Sequence, residues 1–180
     1  MAHVFHGSFK HLDDPERRSI LPAQELLHEM GIKPGDTVLD FGAGIGYFSI
    51  PALNFVGESG KVIAVDLSKR MLKELKRRAG ERPNLVISQA HDFGTYTADV
   101  ILLVTVLHEV DDPKEFLESC FTHLNPGGRI FVIDWQKTET PHGPPMSVRI
   151  AKTEVLSMTQ HPHREHPIHD YFYFVEFMLE

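Results

Sequence analysis

The stretch ADVILLVTVL, residues 98–107, holds one charge and no turn former. A helix on a protein surface keeps a polar face, and a strand wet on one side alternates polar with apolar residues. A run that does neither fits a strand covered on both faces, the central parallel strand of a sheet sandwiched between helices. The rest of the chain supplies the partners. Strand patterns at DTVLDFG (36–42), GKVIAVD (60–66), PNLVISQA (83–90), RIFVIDW (129–135) and DYFYFVEFML (170–179) alternate with helical ones. The helical segments are 14–31, split at Pro22 and stopped at Gly31; 46–57; 68–80, capped by Ser68 and stopped by Gly80; 112–128, capped by Asp112; and 146–160. Too few residues separate 83–90 from 98–107 for a full helix, so that crossover is abbreviated. The pattern predicts an α/β, doubly wound three-layer sandwich with a mostly parallel sheet. A length of 180 residues suits one domain, 1–180.

The strand at 36–42 runs into VLDFGAGIGYF, residues 38–48, where three glycines follow a carboxylate. A glycine-rich turn between a first strand and its helix lets a ligand lie against bare backbone at the helix N-terminus. The spacing is Gly42-x-Gly44-x-Gly46, with Tyr47 where a dinucleotide fingerprint carries its third glycine. That tyrosine argues against a dinucleotide. Asp66 ends the next strand, where a carboxylate can accept both hydroxyls of a ribose. Turn and acid together point to a nucleoside-type cofactor.

VLDFGAGIGYFSIPA, VIAVDLSKRML, ADVILLVTVLHEVDDP and LNPGGRIFVIDW are similar to successive motifs of the class I S-adenosylmethionine-dependent methyltransferases. The likeness is to the small-molecule branch that includes ubiquinone/menaquinone-biosynthesis-type enzymes. It runs from about Leu26 to Trp135, and the NPGG turn makes it more specific than a glycine loop alone. The resemblance implies a seven-stranded sheet of order 3-2-1-4-5-7-6 with strand 7 antiparallel. It implies S-adenosylmethionine as cofactor, with Gly42, Gly44 and Gly46 passing close to its methionine part. Asp40 would help bind the ammonium, Asp66 the ribose, Leu67 would sit against the adenine, and Thr105 would close the floor near the sulfonium. The acid that such enzymes carry after strand 3 is replaced by SQAHDFG, so either His91 fills the slot or Asp92 reaches it after a one-residue shift. Asp92 with Phe93 as adenine neighbours is the reading adopted. Residues 1–15 would form an N-terminal lid, with His6, Phe9 and His11 toward the acceptor; terminal disorder is the competing account.

Methyl transfer from a sulfonium needs alignment, exclusion of water and, for a hydroxyl or protonated amine acceptor, a base. His108, just past the central strand, is the base candidate; packing beneath the cofactor is its alternative role. The expected reaction is methyl transfer to a small or medium apolar acceptor by direct displacement. Transfer to protein or RNA, or cofactor binding without turnover, are the rival functions. Arg149 could meet an anionic substrate or form a surface salt bridge. No metal site is expected: Asp112 is accounted for as a helix cap, and the four histidines of HPHREHPIHD (161–170) have no cysteine beside them.

A formal charge of -7 does not favour nucleic acid as partner. No apolar run approaches the ~20 residues of a membrane helix. The single cysteine, Cys120, excludes an internal disulfide and suits a reducing cytoplasm. Oligomeric state stays open, although an aromatic-rich final strand left at a sheet edge could pair with another chain.

Overall fold

The structure is a computed structural model describing residues 12–179. Its strands are β1 (Thr37–Phe41), β2 (Lys61–Asp66), β3 (Leu85–Gln89), β4 (Ala98–Val104), β5 (Leu124–Trp135), β6 (His163–Glu165) and β7 (Phe172–Met178). They form one sheet in the order β3-β2-β1-β4-β5-β7-β6, with β7 antiparallel to both neighbours and the other pairings parallel. This is the expected topology. The helices are α1 (Pro15–Ile20), α2 (Ala23–Glu29), α3 (Ser49–Val56), α4 (Lys69–Ala79), α5 (Pro113–Thr122) and α6 (Lys152–Leu156).

β4 explains why the apolar run is unbroken. Val100, Leu102 and Val104 pack with α2 and α3 residues on one face, while Ile101 and Leu103 pack with Leu117, Cys120 and Phe121 of α5 on the other. Its single charge, Asp99, sits near the strand's start. It accepts hydrogen bonds from the Thr37 amide at 2.7 Å and from Asn125 Nδ2 at 2.8 Å, tying β1, β4 and the NPGG segment together. That segment lies within β5, across a register shift between Ala98 and Val100, rather than at the end of the preceding helix.

Two further boundaries differ from expectation. β4 stops at Val104 instead of 107, because Thr105 turns into the left-handed region (φ 54°) and Leu107–Glu109 form one 3₁₀ turn. The chain thereby leaves the sheet and carries His108 over its edge. The helix expected over 146–160 shrinks to Lys152–Leu156, since Val148 and Arg149 donate backbone bonds back to Pro145 and Met146 in turns. β7 is interior, flanked by β5 and β6, so its aromatics are core and not an open edge. At this end of the sheet the edge strand is β6, three residues between Pro162 and Pro167, too short to template pairing. Residues 90–97 cross from β3 to β4 without a helix.

Candidate functional site

β1 has β2 on one side and β4 on the other, so the connections diverge at this point and open a crevice at the strands' C-terminal ends. The crevice has a volume of about 640 Å³, within the range of small-molecule sites. Its floor is the glycine turn, the ends of β1, β2 and β4, and Trp135. α1 and residues 142–144 approach from the other side. His142 Nε2 and Glu16 Oε1 meet at 2.6 Å across that approach.

The three glycines do different work. The Gly42 and Ala43 amides donate to the Val65 carbonyl, which holds the turn against β2. A Cβ on Gly42 would lie 2.3 Å from Val106 Cγ2, and one on Gly46 would lie 2.9 Å from both Ile50 and Leu75. Those two positions are bare because protein packs there, and Gly46 does not line the crevice. At Gly44 the nearest atom to an added Cβ is 3.9 Å away, so only this glycine faces open space. All three have positive φ. Gly42→Ala and Gly46→Ala are expected to lose ~1–3 kcal/mol of stability from overpacking in addition to backbone strain. Gly44→Ala should lose only about 1 kcal/mol of backbone strain while filling ligand space. Thermal melts paired with ligand calorimetry check this split.

Two carboxylates flank the turn. Asp66 accepts from the Gly44 amide at 2.8 Å and the Ser68 amide at 2.7 Å, which fixes its plane at the crevice wall. Its pKa is raised, since burial outweighs those two bonds. Asp40 is buried at 3% exposure and accepts from the Ser49 hydroxyl. Burial, with the Asp66 charge adding to it, pushes its pKa up to about 7. Among the described residues no cationic side chain pairs with it, so a buried acid faces the crevice without a counter-ion.

The other end of the crevice is a histidine–aspartate pair. His108 Nδ1 lies 2.7 Å from Asp134 Oδ1, and the same carboxylate accepts from the amides of His108 (3.1 Å) and Trp135 (2.8 Å). Asp134 is 1% exposed. A carboxylate only accepts, so Nδ1 carries the proton and Nε2 of a neutral ring keeps its lone pair. Burial pulls the His108 pKa down, but the bond and charge of Asp134 outweigh it and the net shift is upward. Glu109 Oε1 lies 3.9 Å from Nε2, and burial pushes its carboxyl up to about 7.

Of the residues expected in the site, the structure brings Asp40, Gly42, Gly44, Asp66, Leu67, Thr105 and His108 to the crevice. Gly46, Asp92 and Phe93 are not brought there. Asp92 is exposed and accepts from the Gly94 amide in a local turn. Phe93 is buried against Phe41, Phe116 and His123, where its ring completes the core under α5. His91 is exposed, with 84% of its side chain accessible. His6, Phe9 and His11 lie outside the described residues. Among the described residues Arg149 neither meets the crevice nor forms a surface salt bridge. It is 5% exposed, donates to the carbonyls of Gln136, Thr138, His142 and Pro144, and lies over Trp135. It shapes the 136–144 loop that carries His142 and Pro144 to the mouth of the crevice. Asp134 was missed: an acid in VIDW reads as a strand-end carboxylate until His108 is seen across from it. Among the described residues no three metal-ligating side chains converge.

The methyltransferase domain profile matches residues 39–132, more than half of the chain. The chain belongs to this family. It is 32% identical over 149 residues to the ubiquinone/menaquinone biosynthesis C-methyltransferase of Escherichia coli K12, covering 76% of this chain and 59% of that protein. The counterpart from Salmonella arizonae matches to the same extent. The chain thus spans about three-fifths of the length of these curated relatives. Among solved structures it is similar to a SAM-dependent methyltransferase from Aquifex aeolicus, with TM-score 0.86, 28% identity, and coverage of 96% of this chain and 97% of that one. A SAM-dependent O-methyltransferase from Thermotoga maritima shares the fold, with TM-score 0.61, 18% identity, and coverage of 87% and 63%. The cofactor of this methyltransferase family is S-adenosylmethionine, and the crevice fits it on independent grounds: open space over Gly44, a carboxylate at the end of β2, and a buried acid without a cation.

Proposed function

We propose that this methyltransferase moves a methyl group from S-adenosylmethionine to a small or medium apolar acceptor, with His108 as general base. The observation that carries the reading is the crevice itself, with Asp66 and bare Gly44 at one wall and the His108–Asp134 pair at the other. Asp40 would hold the ammonium of the cofactor, Asp66 its ribose hydroxyls, and Leu67 would pack against its base. Bound, the cofactor supplies a methyl already activated on a sulfonium. The chain's own residues do the remainder. Val104, Thr105 and Val106 shape the floor, and Trp135 and Phe172 give the acceptor an apolar wall. His108 Nε2 takes the proton that the acceptor gives up, and Asp134 holds the imidazolium that forms. With the cofactor bound, its sulfonium would supply both the methyl and the leaving group, so no further reactant would be needed. Quinone or phenolic acceptors suit this wall and base, in line with the relatives, which are C-methyltransferases of ubiquinone and menaquinone biosynthesis. Residues 1–15 as a lid, one domain over 1–180, and residence in the cytoplasm belong to the same reading. The buried thiol of Cys120 and the absence, among the described residues, of a helix long and apolar enough to cross a membrane are consistent with it.

Calorimetry with S-adenosylmethionine, S-adenosylhomocysteine and NAD tests the cofactor, and a labelled methyl donor offered to cell extract tests the acceptor. Both adenosyl compounds are expected to bind and NAD is not; binding of NAD alone would overturn the proposal. Asp66→Ala should weaken cofactor binding by ~1–3 kcal/mol through lost charge-assisted hydrogen bonds. An unchanged affinity would remove Asp66 from the site.

A further inference from the structure

Arg17, in α1, lines the crevice with its guanidinium beside the Tyr47 ring, 5.0 Å from Cζ to centroid. Its Nε is buried and has no hydrogen-bond partner among the described residues. A buried donor left unmatched costs free energy, and more when it is charged, so one with no protein acceptor marks a place where a ligand completes the arrangement. The nearby carboxylates are committed elsewhere. Asp13 pairs with Arg18 at 2.8 Å and Arg78 at 2.6 Å, Asp14 caps α1 through the Arg17 amide, and Glu16 meets His142. Burial lowers the Arg17 pKa, although Tyr47, Asp14 and Asp13 act in the other direction.

We infer that Arg17 is the receptor for a carboxylate that enters the crevice. The planar fork of a guanidinium matches a carboxylate through two parallel bonds, and its face stays on the aromatic ring while its edge binds. Two molecules could bring that group: the amino-acid end of the cofactor, whose ammonium would lie at Asp40, or an acceptor bearing an acid. The inference rests on the methyl-transfer reading for the first source only. Tyr47 holds the receptor in place. Its hydroxyl donates to the Leu21 carbonyl at 2.8 Å, so the ring on which Arg17 lies is fixed to the C-terminal end of α1.

The test compares S-adenosylhomocysteine with its decarboxylated analogue, alike except for the carboxylate, by calorimetry on the wild type and Arg17→Gln. Benzoate is then titrated into both proteins, with and without S-adenosylhomocysteine. If the carboxylate is the cofactor's, the wild type prefers the intact compound at least tenfold and Arg17→Gln erases the preference. If it is an acceptor's, both proteins bind S-adenosylhomocysteine equally and only the wild type binds benzoate. Identical behaviour of Arg17→Gln and wild type toward every probe overturns the inference, as does a wild type with neither preference. A wild type that binds no adenosyl compound but loses benzoate on Arg17→Gln sinks the methyl-transfer reading and leaves this one standing. Arg17→Gln should melt at or above the wild-type temperature, because the buried Nε donor without a partner is removed. Should it not fold, Arg17→Lys, which keeps the charge and loses the fork, carries the same comparison with the preference reduced.

Discussion

His108→Ala is expected to lower turnover by ~10²-fold or more while cofactor affinity stays at its wild-type value. The expectation comes from geometry: Nδ1 is engaged by Asp134 at 2.7 Å, so Nε2 is the nitrogen left to accept a proton in the crevice. Asp134→Asn sharpens the test without emptying the space. The asparagine amide can donate to Nδ1, which would push the ring proton to Nε2 and remove the base. Nitrogen-15 NMR should report an Nδ1–H ring in the wild type and an Nε2–H ring in the variant. The pH profile gives a second readout. Because the His108 pKa is raised, the rate should climb with pH through a midpoint above the ordinary histidine value of about 6.5. Asp134→Asn should move that midpoint down, since burial then acts with its partner's charge removed. A near-normal rate in both variants would assign His108 to packing.

Asp40→Asn should separate stability from binding. The Asp40 carboxyl titrates near 7 in the folded chain against 3.8 for a free one, because it is buried and Asp66 is close. A folded state that holds its proton more tightly than the unfolded chain has its full stability below the unfolded pKa and loses it as pH rises through the folded one. The wild type should therefore become less stable between pH ~4 and ~7, and level off above that. The shift corresponds to a penalty on the order of 4 kcal/mol for the ionised form, and Glu109, also near 7, adds in the same direction. Asp40→Asn keeps an acceptor for the Ser49 hydroxyl and removes the charge. It should be more stable at pH 8 by about 2 kcal/mol, with a flatter stability–pH curve. Its affinity for S-adenosylmethionine should fall by tenfold or more, through the lost ammonium partner. Denaturant melts from pH 4 to 8 and calorimetry measure the two effects on the same samples. A variant that gains stability but binds as before would detach Asp40 from the cofactor.

The sheet was readable because its signals are local. Every strand but the short, polar β6 carries its own apolar pattern, and Ser68, Gly80 and Asp112 act at the helix ends where they were expected. The order of the strands came through resemblance, since no spacing rule distinguishes 3-2-1-4-5-7-6 from other wound sheets. The site was half readable. Asp40, Gly44 and Asp66 lie on a single βαβ unit, where sequence neighbours are spatial neighbours. Asp134, which sits behind His108, and Arg17, which lines the crevice, come from distant parts of the chain, and neither residue type is unusual where it stands. Asp92 and Phe93 failed for a related reason. Residues 90–97 have no helix to fix them, so the periodicity could not say which side of the turn faced the crevice. Gly42 and Gly46 carry the opposite lesson, for a motif glycine can be required by its protein neighbours rather than by the ligand.

Arg149 has a practical implication for redesign. One guanidinium gathers four carbonyls of the 136–149 segment, and Gly143 fits beneath it against Trp135. The segment therefore behaves as an exchangeable cassette with an internal anchor. Provided that arginine, tryptophan and glycine are retained, His142 and Pro144 can be varied to retune which compounds enter, while the wound sheet below keeps its register.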